Sequence, residues 1–159
     1  VQNNASPQRI AFLERCVIID TEVQRFLSDN SKLPEVLMDQ SSLPLIVIVD
    51  DEHSIRTLFA DAFESIGCRV MAFMGPCTAL ESFKYWFGEV RHIITDIDMN
   101  EMNGLEFVSY LQQDLGVSIP ITVCSGRDPD LVPPGSYSFQ QKPPRDLLAF
   151  VERIARSLK

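Results

Sequence analysis

From Leu45 onward the chain alternates short apolar runs with amphipathic stretches of helix length, and few folds accept that rhythm. Residues 45–49 read Leu-Ile-Val-Ile-Val, apolar on both faces, as a strand buried between two layers of helices must be. Residues 53–67 carry Ile55, Leu58, Phe59, Ala62, Phe63 and Ile66 at helical spacing and stop at Gly67. The alternation then repeats, with strands predicted over 69–73, 91–95, 119–124 and 137–141. Helices are predicted over 77–87, over 105–115 with Gly116 as the stop, and over 145–158, where Leu147, Leu148, Phe150, Val151, Ile154 and Ala155 form the apolar side. Strands that alternate with helices join by right-handed crossovers, so the predicted fold is α/β, a doubly wound five-stranded parallel sheet. In such sheets ligands sit beyond the carboxyl ends of the strands.

Those ends are rich in charge. Strand one runs into Asp50-Asp51-Glu52, strand three into Asp96-Ile97-Asp98, strand four into Ser125-Gly126 and strand five into Lys142-Pro143. Carboxylates gathered in one cleft raise each other's pKa unless a cation relieves them. A hard divalent ion such as Mg²⁺ suits one or two carboxylates, waters and a phosphoryl oxygen. A lysine and a hydroxyl on the opposite lip supply charge and a hydrogen bond to the remaining phosphoryl oxygens. The residue types therefore suggest a small phosphoryl-transfer site with a carboxylate nucleophile. Asp50-Asp51 alone is more often a charge pattern at a helix N-terminus; its weight comes from Asp96 and Lys142.

Residues 44–158 resemble the receiver domain of two-component response regulators and hybrid histidine kinases. The resemblance rests on Ile48-Val49-Asp50-Asp51-Glu52, on the stretch from Thr95-Asp96-Ile97-Asp98 to Asn103-Gly104, on Cys124-Ser125-Gly126 and on Lys142-Pro143. It implies the flavodoxin-like receiver fold, with Asp96 phosphorylated by a histidine kinase or a histidine phosphotransfer protein. It also implies that Asp51 and Asp96 bind Mg²⁺ directly, Asp50 partly through water and Asp98 through its backbone carbonyl. Lys142 would pair with Asp96 and then with the phosphoryl group. Ser125 would move its hydroxyl to a phosphoryl oxygen, and Phe139 would be the aromatic that rotates behind it. The implied role is a signalling phosphoacceptor that resets by slow self-dephosphorylation.

Four departures from that family stand out. Asn100 replaces the usual Pro, which is expected to loosen the loop without touching a ligand. Asp98 places an extra negative charge near Asp96, and the expectation is an altered lifetime of the acyl phosphate. Phe139 keeps the rotating ring of the commoner Tyr but loses its hydroxyl. The interval from Ser125 to Lys142 is several residues short and holds Pro129, Pro133 and Pro134, so the family's fourth helix is expected to be shortened or absent. Lys142-Pro143 is compatible with a cis bond, although trans is the default.

The 159 residues divide near Pro44 into an N-terminal extension (1–43) and the receiver-like part (44–159). Residues 8–32 contain no Gly or Pro and set Phe12, Cys16, Ile19, Val23 and Phe26 at alternating four-three spacing, an amphipathic helix. That helix either folds onto its own receiver or pairs with a second copy to give a homodimer. A formal charge of -8 argues against direct binding to nucleic acid or an anionic membrane, and no apolar run is long enough to span a bilayer. Cys16, Cys68, Cys77 and Cys124 show no metal or redox spacing and read as thiols of a cytoplasmic protein. His92 reads as a surface residue ahead of strand three, and His53 as part of the first turn of helix one. The extension before Pro44 suggests either a receiver that follows other modules, as in a hybrid histidine kinase, or a stand-alone regulator with a helical arm. Two alternatives are a haloacid-dehalogenase-type phosphatase, with Asp96 as nucleophile and Asp98 as general acid, and a receiver fold kept only for protein binding. The phosphatase leaves Asp50 and Asp51 without an assignment.

Overall fold

The computed structural model describes residues 42–158; the predicted helix over 8–32, and with it the proposed pairing of copies, lies outside the described residues. Five strands form one wholly parallel sheet in the order β2-β1-β3-β4-β5. They are β1 (Leu45–Val49), β2 (Arg69–Phe73), β3 (Val90–Asp96), β4 (Ile121–Ser125) and β5 (Ser138–Gln141). The helices are α1 (His53–Ser65), α2 (Pro76–Trp86), α3 (Gly104–Ser109) and α4 (Leu147–Ser157). The predicted doubly wound sheet is therefore the observed one.

The two-residue period of a strand sorts side chains into two cores. Leu45, Val47 and Val49 of β1 pack with Ala79 and Phe83 of α2, with Phe107 and Val108 of α3, and with Leu111 just beyond it. Ile46 and Ile48 point the opposite way, into Phe59 and Phe63 of α1 and Phe150, Val151 and Ile154 of α4. Each fully buried side chain of this size contributes about 1.5–3 kcal/mol, so β1, buried along its whole length, anchors both layers. Gly67 (φ 84°) and Gly116 (φ 64°) take the left-handed conformation that a side chain resists, and both fall where the sequence reading placed helix stops.

The third helix departs from its prediction. Only Gly104–Ser109 is α-helical, and Tyr110–Asp114 continues as a π-helical turn closed by Leu115 N–H donating to Tyr110 O at 3.2 Å. Its start is firm: Asn103 accepts from Leu105 N at 2.8 Å while Glu106 Oε2 accepts from Asn103 N at 3.3 Å, a reciprocal cap. Between β4 and β5 there is no α-helix among the described residues, only a 3₁₀ turn at Pro129–Leu131. The prolines exclude a helix between β4 and β5, the family's fourth, as expected, and Val132 and Tyr137 pack against the core from this segment instead.

His92 corrects the sequence reading. It lies within β3 at 5% exposure, and its Nε2 is 2.9 Å from Thr122 Oγ1, which in turn is 2.7 Å from Ser138 Oγ. Burial depresses its pKa to about 4.

Candidate functional site

Because β1 and β3 are adjacent, their carboxyl ends meet, and they do so where the strand order reverses. Asp50 and Asp51 follow β1, and Asp96 is the last residue of β3. One carboxylate oxygen from each of the three lies within 4.8 Å of the others. Asp50 and Asp96 are buried and Asp51 is exposed, so the cluster opens to solvent on one side.

Backbone turns aim these groups. Asp50 Oδ1 accepts from Glu52 N at 2.9 Å, and Asp50 N donates to Phe73 O at 3.1 Å. Asp96 Oδ1 accepts from Ile97 N at 2.7 Å. Gly104 N donates to Ile97 O at 2.9 Å, closing the loop after β3, and a Cβ on Gly104 would lie 1.7 Å from the Asp96 carbonyl oxygen. Glycine is required there by close approach of the backbone.

Lys142 completes the site from just beyond the end of β5. Its backbone N–H donates to Ser125 O at 2.8 Å, and the Lys142-Pro143 bond is cis. Nζ donates to Asp50 Oδ2 at 2.6 Å and lies 3.1 Å from Asp96 Oδ2. Burial pushes the Asp96 carboxyl above its ordinary pKa, against the lowering pull of Lys142. Burial works to lower the Lys142 pKa, yet the adjacent Asp50 and Asp96 hold it above its ordinary value. With all groups ionised, three carboxylates face one ammonium, which leaves two negative charges. Hard oxygen donors with that residual charge fit Mg²⁺.

The sheet register sets Ser125 opposite Gln141, next to Lys142, and Phe139 opposite Val123. Ser125 is fully buried, and its Oγ accepts from Arg127 N at 3.1 Å. Phe139 is half-buried against the core on the α2–α3 side. Cys124, buried beside the site, has its thiol pushed up to about 12 by burial and is an inert packing group.

Asp98 points out of the cluster. Its side chain is about half exposed and is held in a fork by Arg127, with Nε donating to Oδ2 at 2.9 Å and a second guanidinium nitrogen on Oδ1. A carboxylate paired in this way is not poised as a general acid toward Asp96, which weakens the phosphatase alternative. Asn100 corrects an expectation, since its Nδ2 donates to Asp51 Oδ2 at 3.1 Å and so touches a candidate ligand. An amide reaches across the loop where a proline ring has no donor.

Two residues were missed in the sequence. Arg127 could have been found from a guanidinium two places after Ser125, within reach of the acidic strand ends. Arg56 donates to the Asp50 carbonyl at 2.7 Å and pins the β1–α1 turn, and nothing in the local pattern marks it.

The profile of the family described as the response regulator receiver domain matches residues 46–133. Over 107 residues the chain is 30% identical to ARR21 of Arabidopsis thaliana, described as a two-component response regulator. That match covers 64% of this chain and 17% of the length of ARR21. The receiver domain from the hybrid histidine kinase CckA superposes with a TM-score of 0.61 at 23% identity, covering 72% of this chain and 99% of that one. Chemotaxis protein CheY4 of Vibrio cholerae gives 0.62 at 21% identity, covering 72% and 98%. These two structures share the fold.

Proposed function

From a chain that belongs to the response regulator receiver domain family, we propose a phosphoacceptor in which Asp96 takes a phosphoryl group from a histidine of a kinase or phosphotransfer protein. The observation that carries this reading is the Lys142 ammonium held between Asp50 and Asp96, beside a three-carboxylate cluster open to solvent. Asp51 and Asp96 would hold Mg²⁺ directly, Asp50 partly through water and Asp98 through its backbone carbonyl; the bound ion supplies neutralising charge for the phosphoryl oxygens.

A carboxylate oxygen of Asp96 attacks phosphorus in line, the P–N bond to the donor imidazole breaks, and an acyl phosphate forms as the imidazole leaves. Lys142 stays beside the reacting carboxylate and neutralises charge on the transferred group. Ser125 donates a hydrogen bond from its hydroxyl to a phosphoryl oxygen, and Phe139 rotates into the space behind it. That biases a two-state protein-interaction surface. Water later attacks the same phosphorus, returns Asp96 as a carboxylate and releases phosphate, so the reset is slow self-dephosphorylation.

Among the described residues no helix is long and apolar enough to cross a membrane, which is compatible with a cytoplasmic signalling role. A second copy is a further candidate partner, through the apolar stripe at Phe12, Cys16, Ile19, Val23 and Phe26. Sedimentation that depends on concentration supports that pairing, and a concentration-independent monomer removes it.

The test of the reading is intact-mass measurement after treatment with acetyl phosphate. One phosphoryl group per chain is expected with Mg²⁺ and none with a chelator. Repeated turnover of a generic phosphate ester would instead support the phosphatase alternative.

A further inference from the structure

We propose that Arg127 is a charge latch: phosphorylation of Asp96 draws its guanidinium off Asp98, and the proline-rich segment 126–137 moves with it as the reporting surface. The inference rests on the phosphoacceptor reading and goes beyond it by assigning a transmitting residue.

Residue 127 is attached at two points, and phosphorylation disturbs both. Its backbone N–H donates to Ser125 Oγ at 3.1 Å, the oxygen drawn toward the phosphoryl group. Its side chain forks onto Asp98, two residues beyond Asp96. A phosphoryl group carries about -1.5 to -2 charge and three strong acceptor oxygens at neutral pH. Against one exposed carboxylate it is the stronger partner for a guanidinium, and it also repels Asp98. The Arg127–Asp98 pair is half exposed on both sides (47% and 52%), so solvent screens it and the cost of leaving it is small.

The chain beyond Arg127 is built to carry the motion. Asp128 accepts from Asp130 N at 3.1 Å and starts the 3₁₀ turn Pro129–Leu131. Pro129, Pro133 and Pro134 stiffen the segment. Its far end is tied down, with Gln112 Nε2 donating to Ser136 O at 2.8 Å and the Tyr137 hydroxyl donating to Pro133 O. Leu131 stands on the turn at 73% exposure, so a shift pivoting at Arg127 moves an apolar group on the surface. With the fourth helix missing, this segment takes its place between β4 and β5.

The experiment is NMR of the ¹⁵N-labelled full chain, with beryllofluoride and Mg²⁺ as a stable phosphoryl mimic. The Ile97 amide, bonded to Asp96 Oδ1, reports occupancy of Asp96 independently of the latch. On addition of the mimic, the Ile97 amide, the Arg127 Nε–H and the amides of 128–132 are expected to shift together. In Arg127→Gln the Ile97 shift is retained and the 128–132 shifts are lost. In Asp98→Asn the free chain already shows an altered Arg127 Nε–H, while the loaded spectrum matches loaded wild type at 127–132. If Ile97 shifts but Arg127 Nε–H does not, or if Arg127→Gln keeps the 128–132 shifts, the latch is overturned while the phosphoacceptor reading stands. If Ile97 itself does not respond, that reading falls and the latch falls with it.

Discussion

Replacing Lys142 with Met keeps most of the volume of the side chain and removes the ammonium that bridges Asp50 and Asp96. The three side chains are 10%, 2% and 9% exposed, so the two carboxylates are left facing each other with little solvent to separate them. Removing one partner of a buried ion pair costs about 3–5 kcal/mol. A carboxyl that escapes by binding a proton pays about 1.4 kcal/mol for each unit its folded pKa lies above the unfolded one, which limits the loss. Burial already holds Asp96 above its ordinary value against the pull of Lys142, so the variant moves it further up. The folded state then keeps a proton that the unfolded chain releases, and stability falls as pH rises through that interval. We expect Lys142→Met to lose about 3 kcal/mol at pH 7.5 and clearly less at pH 5.5 in urea unfolding followed by circular dichroism. Saturating Mg²⁺ should return stability, about 2.7 kcal/mol at a hundredfold excess over its dissociation constant. A loss below about 1 kcal/mol, or the same loss at both pH values, would refute the electrostatic reasoning.

Other perturbations test other parts of the site. His92, with its pKa near 4, binds a proton less readily folded than unfolded, so its contribution to stability is complete above about pH 6.5 and lost as pH falls toward 4. Asp96 slopes the opposite way over the lower part of that range; His92→Gln should remove the acid-side loss and leave the Asp96 trend, read from urea midpoints at pH 4.5 and 7. Gly104→Ala forces a methyl against the Asp96 carbonyl and should cost about 3 kcal/mol with loss of phosphoryl uptake, checked by thermal unfolding and intact mass. Asn100→Ala frees Asp51 Oδ2 and should weaken Mg²⁺ binding by a few-fold, about 0.5–1.5 kcal/mol, in isothermal titration; unchanged affinity would make that contact incidental. Phosphoryl uptake from acetyl phosphate should fall off in acid at a pH above the ordinary aspartate pKa, since the nucleophile must be ionised and burial raises its pKa.

The sheet was legible because β1 is buried on both faces and therefore apolar throughout, and because Gly67 and Gly116 mark helix ends that only glycine makes cheaply. The missing fourth helix was equally legible, since prolines forbid it locally. The three carboxylates and Lys142 could be found because each sits directly at a strand end, where neighbours along the sequence report position in space. His92 was misread because one histidine inside a strand carries no mark of which face is covered; that depends on Thr122 and Ser138, distant in sequence. Asn100 and Arg127 were misjudged or missed for a related reason. Their partners, Asp51 and Asp98, lie across the cleft, and only the assembled loops bring an amide or a guanidinium to them. The π turn at Tyr110–Asp114 leaves no pattern in the sequence that separates it from a regular helix.

Trapping the modified residue addresses the acceptor itself. After acetyl phosphate and Mg²⁺, borohydride reduces an aspartyl phosphate to homoserine, and peptide mass mapping locates the change. Homoserine at position 96, with Asp50, Asp51 and Asp98 intact and no conversion in Asp96→Asn, is the predicted result. Conversion at another carboxylate, or phosphoryl uptake that survives Asp96→Asn, would contradict Asp96 as the acceptor.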